Sequence, residues 1–301
     1  MKIAVLEKTN FTSEQRKKLE ELGQIDYYEN LSQDDANRIA PQYDVVIVNW
    51  LDPTPFIMEM KKGALVSLLS TGYGWISNIK EAYDNGIYVT NIPNYSTEAV
   101  AEHLLGMLLG ISKNIFPTLN RDNNGSVGFE LKNKTTGIIG LGNIGGRFAE
   151  IMNFFGSKVL TYNRTKKDGK NAQDVSLDYL LEHSDIICIS CSVNDESRNM
   201  INMSNIYKIK KGAIIVGSTW NIIENDALLI ALEKDIIKAI SFDAAIEGND
   251  IVLEKLKEIK SKVFLTPHIA YNTYESELRQ LDICVNNILN YINGHPSNLV
   301  K

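Results

Sequence analysis

Apolar residues along the chain fall into short runs bounded by polar or Gly/Pro punctuation. Residues 2–7, Asp44–Val48, Ala64–Leu69 and Ile87–Thr90 read as strands. Each is short and continuously apolar, the pattern of a parallel sheet with helices between its strands. Thr12 and Ser13 are N-cap candidates for a helix through Leu22 ended by Gly23, and Lys80–Asn85 reads as a short helix. Ser96-Thr97-Glu98-Ala99 opens a long helix to about Ser112, and polar Asn120–Asn133 reads as a loop. Strands recur at Lys158–Tyr162, Asp185–Cys191, Ala213–Ser218, Ile237–Phe242 and Val263–Thr266. Helices are expected between the later ones at Leu177–His183, Met203–Ile209, Glu224–Leu232 and Ile251–Ile259, and a last one at Thr273–Asn293. The alternation predicts the α/β class: a doubly wound parallel sheet preceded by a smaller α/β unit. There is no internal repeat and no low-complexity tract.

The stretch around which the chain is arranged is Thr136–Arg164. Ile138-Ile139 leads into Gly140-Leu141-Gly142-Asn143-Ile144-Gly145, a full G-x-G-x-x-G. An amphipathic run follows, with Ile144, Phe148, Ile151, Met152 and Phe155 at helical spacing. Glycine-rich turns are common, but this one lies between a strand and a helix inside a unit of about 30 residues, the context of dinucleotide binding. Gly140 suits the tight turn, Gly142 the approach of a pyrophosphate and Gly145 close helix–strand packing. The helix start at Asn143 and Ile144 offers N–H groups and a positive dipole end to the phosphates. NAD enzymes usually place an Asp or Glu at the end of the second strand for the ribose 2′-OH. Here Asn163 stands there, followed by Arg164, Thr165, Lys166 and Lys167. An amide beside cations favours a 2′-phosphate, so NADP is expected ahead of NAD.

Bulk properties narrow the class. The 301 residues suit two domains, with 44% hydrophobic and 23% charged residues as in a soluble globular protein. A net charge of −6, with no basic stripe, argues against nucleic acid as a partner. The apolar run near Met1 is too short for a signal peptide, and no run approaches a membrane span, so a cytoplasmic location is expected. Cys188 and Cys191 form a C-x-x-C without a second pair, and two buried thiols are expected rather than a zinc site.

Several stretches together resemble the D-isomer-specific 2-hydroxyacid dehydrogenases, which include glycerate, phosphoglycerate, hydroxypyruvate/glyoxylate and formate dehydrogenases. The resemblance lies in Asn91–His103, Gly140–Gly145, Ser184–Asn202, Lys211–Val216, Asp226-Ala227-Leu228, Phe242-Asp243, Leu265–Ala270 and the tail Asn286–Val300. It spans the whole chain in order. It implies a Rossmann nucleotide domain at 96–270 and a smaller, flavodoxin-like substrate domain made of 1–95 plus 271–301. It also implies an active site in the cleft between them, and a homodimer.

Residue by residue, the resemblance places the acid/base at His268, the nicotinamide-amide contact at Asp243 and further cofactor contacts at Cys191, Ser218 and Thr219. His103, His183 and His295 are expected to be satisfied or solvated. The Glu that pairs with the catalytic His falls on Gly248, and Glu247 is one residue short, so it serves only if the loop is shortened. The family's carboxylate-binding Arg is replaced by Thr219 or Trp220, with no substitute cation in that loop. The Arg/Ser pair after the second strand is Asn49-Trp50, whereas Tyr73-Gly74 matches the turn whose N–H groups hold the substrate carboxylate. Trp50 and Trp220 are expected to make the pocket apolar, and Tyr271 stands where a glycine is usual. Two functions follow. One is an oxidoreductase of 2-keto/2-hydroxy acids. The other is a non-catalytic dinucleotide-binding protein of the same fold.

Overall fold

The computed structural model describes residues 1–119, 127–165, 169, 171–243, 254–256, 258, 259 and 261–301. They form two compact units, Met1–Ser96 with Thr273–Lys301, and Thr97–Asn272.

The first unit holds β1 (Lys2–Val5), β2 (Gln24–Tyr27), β3 (Val45–Val48), β4 (Leu65–Leu68) and β5 (Tyr88–Thr90). They pair in parallel in the order β2-β1-β3-β4-β5, the flavodoxin-like order. β3 (VVIV) and β4 (LVSL) are wholly buried, as apolar central strands must be when helices cover both faces. The helix Ser13–Glu20 starts with a capping box: Thr12 Oγ1 accepts the Gln15 N–H, and the Gln15 side chain accepts the Thr12 N–H. Gln15 is buried and its amide donates to Asp282 Oδ1 at 2.8 Å, on the helix Tyr274–Ile292. That helix buries Leu281, Cys284, Val285 and Ile288, and Cys284 lies 3.4 Å from the Ser67 hydroxyl of β4. Burial lifts the Cys284 thiol to about 12, so it is a packing group.

The second unit is a seven-stranded parallel sheet. It comprises β6 (Thr135–Ile139), β7 (Lys158–Tyr162), β8 (Ala172–Asp174), β9 (Ile186–Ile189), β10 (Ala213–Gly217), β11 (Ile237–Asp243) and β12 (Val263–Thr266). The order β8-β7-β6-β9-β10-β11-β12 runs outward in both directions from β6, a doubly wound Rossmann sheet. One face packs against the helices Thr97–Ser112 and Asn143–Phe154 through Leu104, Leu108, Phe148 and Met152. The other packs against Leu177–His183 and Asn225–Glu233 through Leu180, Leu181, Leu228 and Leu232. The first unit's sheet is completed by β13 (Leu299–Val300), antiparallel to β5.

The expected helix at Met203–Ile209 is only a 3-10 turn, Ile206–Lys208. The expected helix at Ile251–Ile259 falls partly outside the described residues. Among the described residues, no helix is long and apolar enough to cross a membrane, and no three His, Cys, Asp or Glu side chains gather as a metal site.

Candidate active site

The strand order reverses between β6 and β9, and ligands bind doubly wound sheets at the carboxyl end of that point. There the chain leaves β6 through Gly140 at φ +96, a value only glycine adopts without strain. A Cβ on Gly140 would lie 2.7 Å from Cys191, and one on Gly145 would lie 2.1 Å from the Gly140 carbonyl oxygen. Gly142 is different: a Cβ there meets nothing within 4 Å. It is the N-cap of Asn143–Phe154 and brings no capping side chain. The helix mouth is thus closed beneath by Gly145 and open above Gly142, a cradle that fits a dinucleotide's pyrophosphate.

A cleft of about 360 Å³ opens from this mouth. Its lining includes Gly140, Leu141, Gly142, Asn163, Arg164, Ser190, Cys191, Glu196 and Ser197. Asn163 Oδ1 accepts the Leu141 N–H at 2.5 Å and so pins the glycine loop. Its Nδ2 is buried and has no hydrogen-bond partner among the described residues. Arg164 Nη1 is 2.9 Å from Glu196 Oε2. Cys191 is half-buried beside Gly140, with its thiol pushed up by burial, so the expected pair of buried thiols is one buried (Cys188) and one lining the cleft.

At the far end of the same sheet, β11 ends on Asp243, 2% exposed. Burying a carboxylate is costly unless its oxygens are hydrogen-bonded. Asp243 Oδ1 accepts from Thr266 Oγ1 at 2.6 Å and from the Ile269 N–H at 2.8 Å, and Oδ2 accepts the Ala270 N–H at 2.7 Å. These bonds fix the turn after β12, which carries His268. His268 is exposed and held at φ +55, with its N–H on the Thr266 carbonyl and its ring edge-on to Tyr271 at 5.6 Å between centroids. His103 Nε2 is 3.0 Å from Thr266 Oγ1. Because that hydroxyl's proton goes to Asp243, His103 donates from Nε2. Burial, and then the Asp243 charge, raise the Tyr271 pKa, so it stays a neutral phenol at working pH.

With a glycine mouth and a histidine turn at the carboxyl ends of one parallel sheet, comparison with known proteins decides the family. Residues 105–270 match the family model for the D-isomer specific 2-hydroxyacid dehydrogenase, NAD binding domain. The chain belongs to that family. Hydroxypyruvate reductase of Blautia hydrogenotrophica is 31% identical, with 95% of this chain and 94% of that protein covered. Glyoxylate reductase of Aeropyrum pernix is 32% identical over 79% of this chain and 76% of its own. Among solved structures, an acyclic imino acid reductase (Bsp5) in complex with NADPH and D-Arg superposes with a TM-score of 0.87 at 26% identity, and D-lactate dehydrogenase from Escherichia coli with 0.81 at 25%; each covers the whole of both chains. Family membership makes this chain an oxidoreductase of the 2-hydroxyacid class with a nicotinamide cofactor.

Against the family pattern, several expected residues sit differently. Trp220 is turned into the core of its unit. It is 4% exposed, edge-on to Phe242 at 5.0 Å, with its indole N–H donated to Asn225 Oδ1 at 3.0 Å. A ring that size is worth more in the core than at a polar rim. Ser218 and Thr219 follow β10 at its carboxyl end, the Ser218 N–H bonded to the Ile189 carbonyl. Glu247 lies outside the described residues. In the first unit, Tyr73 and Gly74 sit in an exposed turn braced by Thr71 Oγ1 on the Ile92 carbonyl and by Asn91 Nδ2 on the Thr71 carbonyl. Trp50 is 69% exposed, and the Asn49, Trp50 and Leu51 N–H groups all point at the Glu7 carboxylate, at 2.6, 2.9 and 3.3 Å. Sequence reasoning missed Glu7, Glu196 and the bond made by His103. Glu7 and His103 act through partners 42 and 163 residues away in sequence, and Glu196 through one 32 residues off.

Proposed function

We propose that the chain interconverts a 2-keto acid and its 2-hydroxy acid, with NADP(H) preferred over NAD(H) and His268 as the acid/base. The cofactor, when bound, supplies or accepts the hydride. The N–H groups at Gly142 and the start of its helix hold the pyrophosphate, and Asn163 and Arg164 receive the adenosine ribose and its 2′-phosphate. Asp243 Oδ2 accepts one described bond, and a carboxylate oxygen has room for about two, so it can also orient the nicotinamide amide. In reduction His268 gives a proton to the carbonyl oxygen; in oxidation it takes one from the hydroxyl. Tyr73 and Gly74 offer N–H groups to the substrate carboxylate, Trp50 an apolar face to its side chain, and Glu247 is the proposed partner of His268.

The observation that carries this reading is the Asp243 clamp. One buried carboxylate stations the turn bearing an exposed histidine, in the same unit as the open glycine mouth. The NADPH-bound solved relative supports the cofactor choice. Neither Arg nor Lys occurs in Gly217–Asn225, and losing one such stabiliser lowers rate by roughly 10²–10³, which leaves an enzyme but a weaker one. The test is oxidation of NADPH against a panel of 2-keto acids. Turnover of at least one is expected, falling by ~10²–10⁴ in His268→Gln while the NADPH Kd stays within about threefold. Cofactor binding without turnover of any 2-keto acid would overturn it.

That outcome would favour a second reading, a dinucleotide-binding protein without catalysis. Its support is the cation-free Gly217–Asn225 loop and a Trp220 turned into the core. Under either reading we propose a cytoplasmic homodimer, which sedimentation analysis and cell fractionation would check.

A further inference from the structure

We propose that Glu196 narrows the cofactor preference: its carboxylate, paired with Arg164 at the rim of the nucleotide cleft, supports NAD(H) and restrains NADP(H), so that the NADP(H) preference falls short of what Arg164 alone would give. The proposal rests on the reading that Asn163 and Arg164 receive the adenosine ribose. At that end of β7 the described charged group is a cation, the Arg164 guanidinium, while Asn163 Oδ1 accepts the Leu141 N–H and its Nδ2 is buried. A ribose 2′-OH needs an acceptor for its proton, and among the described residues the carboxylate lining this cleft is Glu196, from the opposite loop.

The loop presents it in a fixed way. Asn194 Oδ1 accepts the N–H groups of Glu196 and Ser197 at 3.0 Å each, and Ser197 Oγ accepts the Asn194 N–H at 2.8 Å. Ser197 Oγ also donates to the Ser192 carbonyl at 2.7 Å. These polar groups are spent on the turn, whereas the Glu196 and Arg164 side chains are 67% and 76% exposed at the rim. With NAD(H), the 2′-OH donates to Glu196 while the Arg164 pair stays intact. With NADP(H), the phosphate must draw Arg164 away from Glu196 and then sits beside an unpaired like charge. Selectivity is the difference between those two affinities, and a repulsive group shapes it as much as an attractive one.

The experiment measures Kd for NADPH and NADH by titration of the full chain, its Glu196→Gln and its Arg164→Gln variants. Glu196→Gln is expected to tighten NADPH and weaken NADH, moving the ratio of the two constants by about tenfold. The shift should shrink in about 0.5 M salt, because charges this exposed are screened. A Glu196→Gln ratio within about twofold of wild type, with Arg164→Gln still shifting the ratio toward NADH, overturns the role of Glu196 alone. An unchanged ratio in Arg164→Gln overturns the placement of the 2′-phosphate, and this proposal with it.

Discussion

Gly142 and Gly145 stand three residues apart and answer to different constraints. A methyl on Gly142 enters open space, and its φ of −80 is ordinary. Gly142→Ala is therefore expected to fold with an unchanged Tm yet bind NADPH at least tenfold more weakly, because the methyl takes the room a phosphate needs. A methyl on Gly145 strikes the Gly140 carbonyl and the Ser190 hydroxyl. Overpacking of this kind costs ~1–3 kcal/mol, so Gly145→Ala should lower Tm as well as affinity. Thermal unfolding and fluorescence titration on the two variants separate these effects. At the same scale, the Trp50–Trp220 pair was legible only as two large rings near a site. Their opposite fates turn on Asn225, five residues from Trp220, which satisfies its indole N–H inside the core.

Among elements, the turn after β12 shows how one residue organises several. Its backbone is irregular and carries a positive φ at His268, yet three hydrogen bonds to the Asp243 carboxylate hold it. Asp243→Asn puts an amide N–H where an oxygen must accept, so it should cost about 2 kcal/mol of stability. Turnover should fall more steeply than NADPH affinity, because the histidine loses its station. Urea unfolding and a comparison of kcat with Kd check both. The sequence shows this turn only as Thr-Pro-His-Ile, since its clamp lies 23 to 27 residues earlier. The same holds for whole elements. Leu177–His183 was readable to the residue because Ser176 caps it and its leucines face inward. By contrast β2 (QIDY), β8 (AQD) and the helix Gln33–Ile39 were not. The two strands lie at sheet edges with polar, partly exposed residues, and the helix is too polar to show an apolar stripe. Edge elements borrow their geometry from a neighbour, which a linear pattern does not record.

The molecule as a whole titrates through ties between segments distant in sequence. Asp185 accepts the Thr135 N–H at 2.9 Å and pairs with Lys210 at 2.7 Å, joining the starts of β6 and β9. Burial alone would raise its pKa; the Lys210 ammonium and the Thr135 N–H outweigh that and hold it below the ordinary carboxylate value. The folded pKa is lower than the unfolded one, so the stabilisation is complete above about pH 4 and disappears as pH falls through the folded value. Asp185→Asn should therefore be less stable than wild type at neutral pH by ~1 kcal/mol, with the gap closing in acid. Denaturant midpoints measured down the pH scale test it.

The second unit is one uninterrupted segment, Thr97–Asn272, set between β5 and the helix Tyr274–Ile292 of the first. On a ribosome, β5 therefore emerges well before its partner β13. At ~5–20 residues per second the delay is roughly ten to forty seconds, long compared with the folding of most single domains. Throughout that interval one border of the nascent first sheet stays unzipped, a template to which a stray strand can attach. Newly made chains should thus be most prone to clump, and most in need of a chaperone, while the nucleotide unit is already complete and the first still waits for its closing helix.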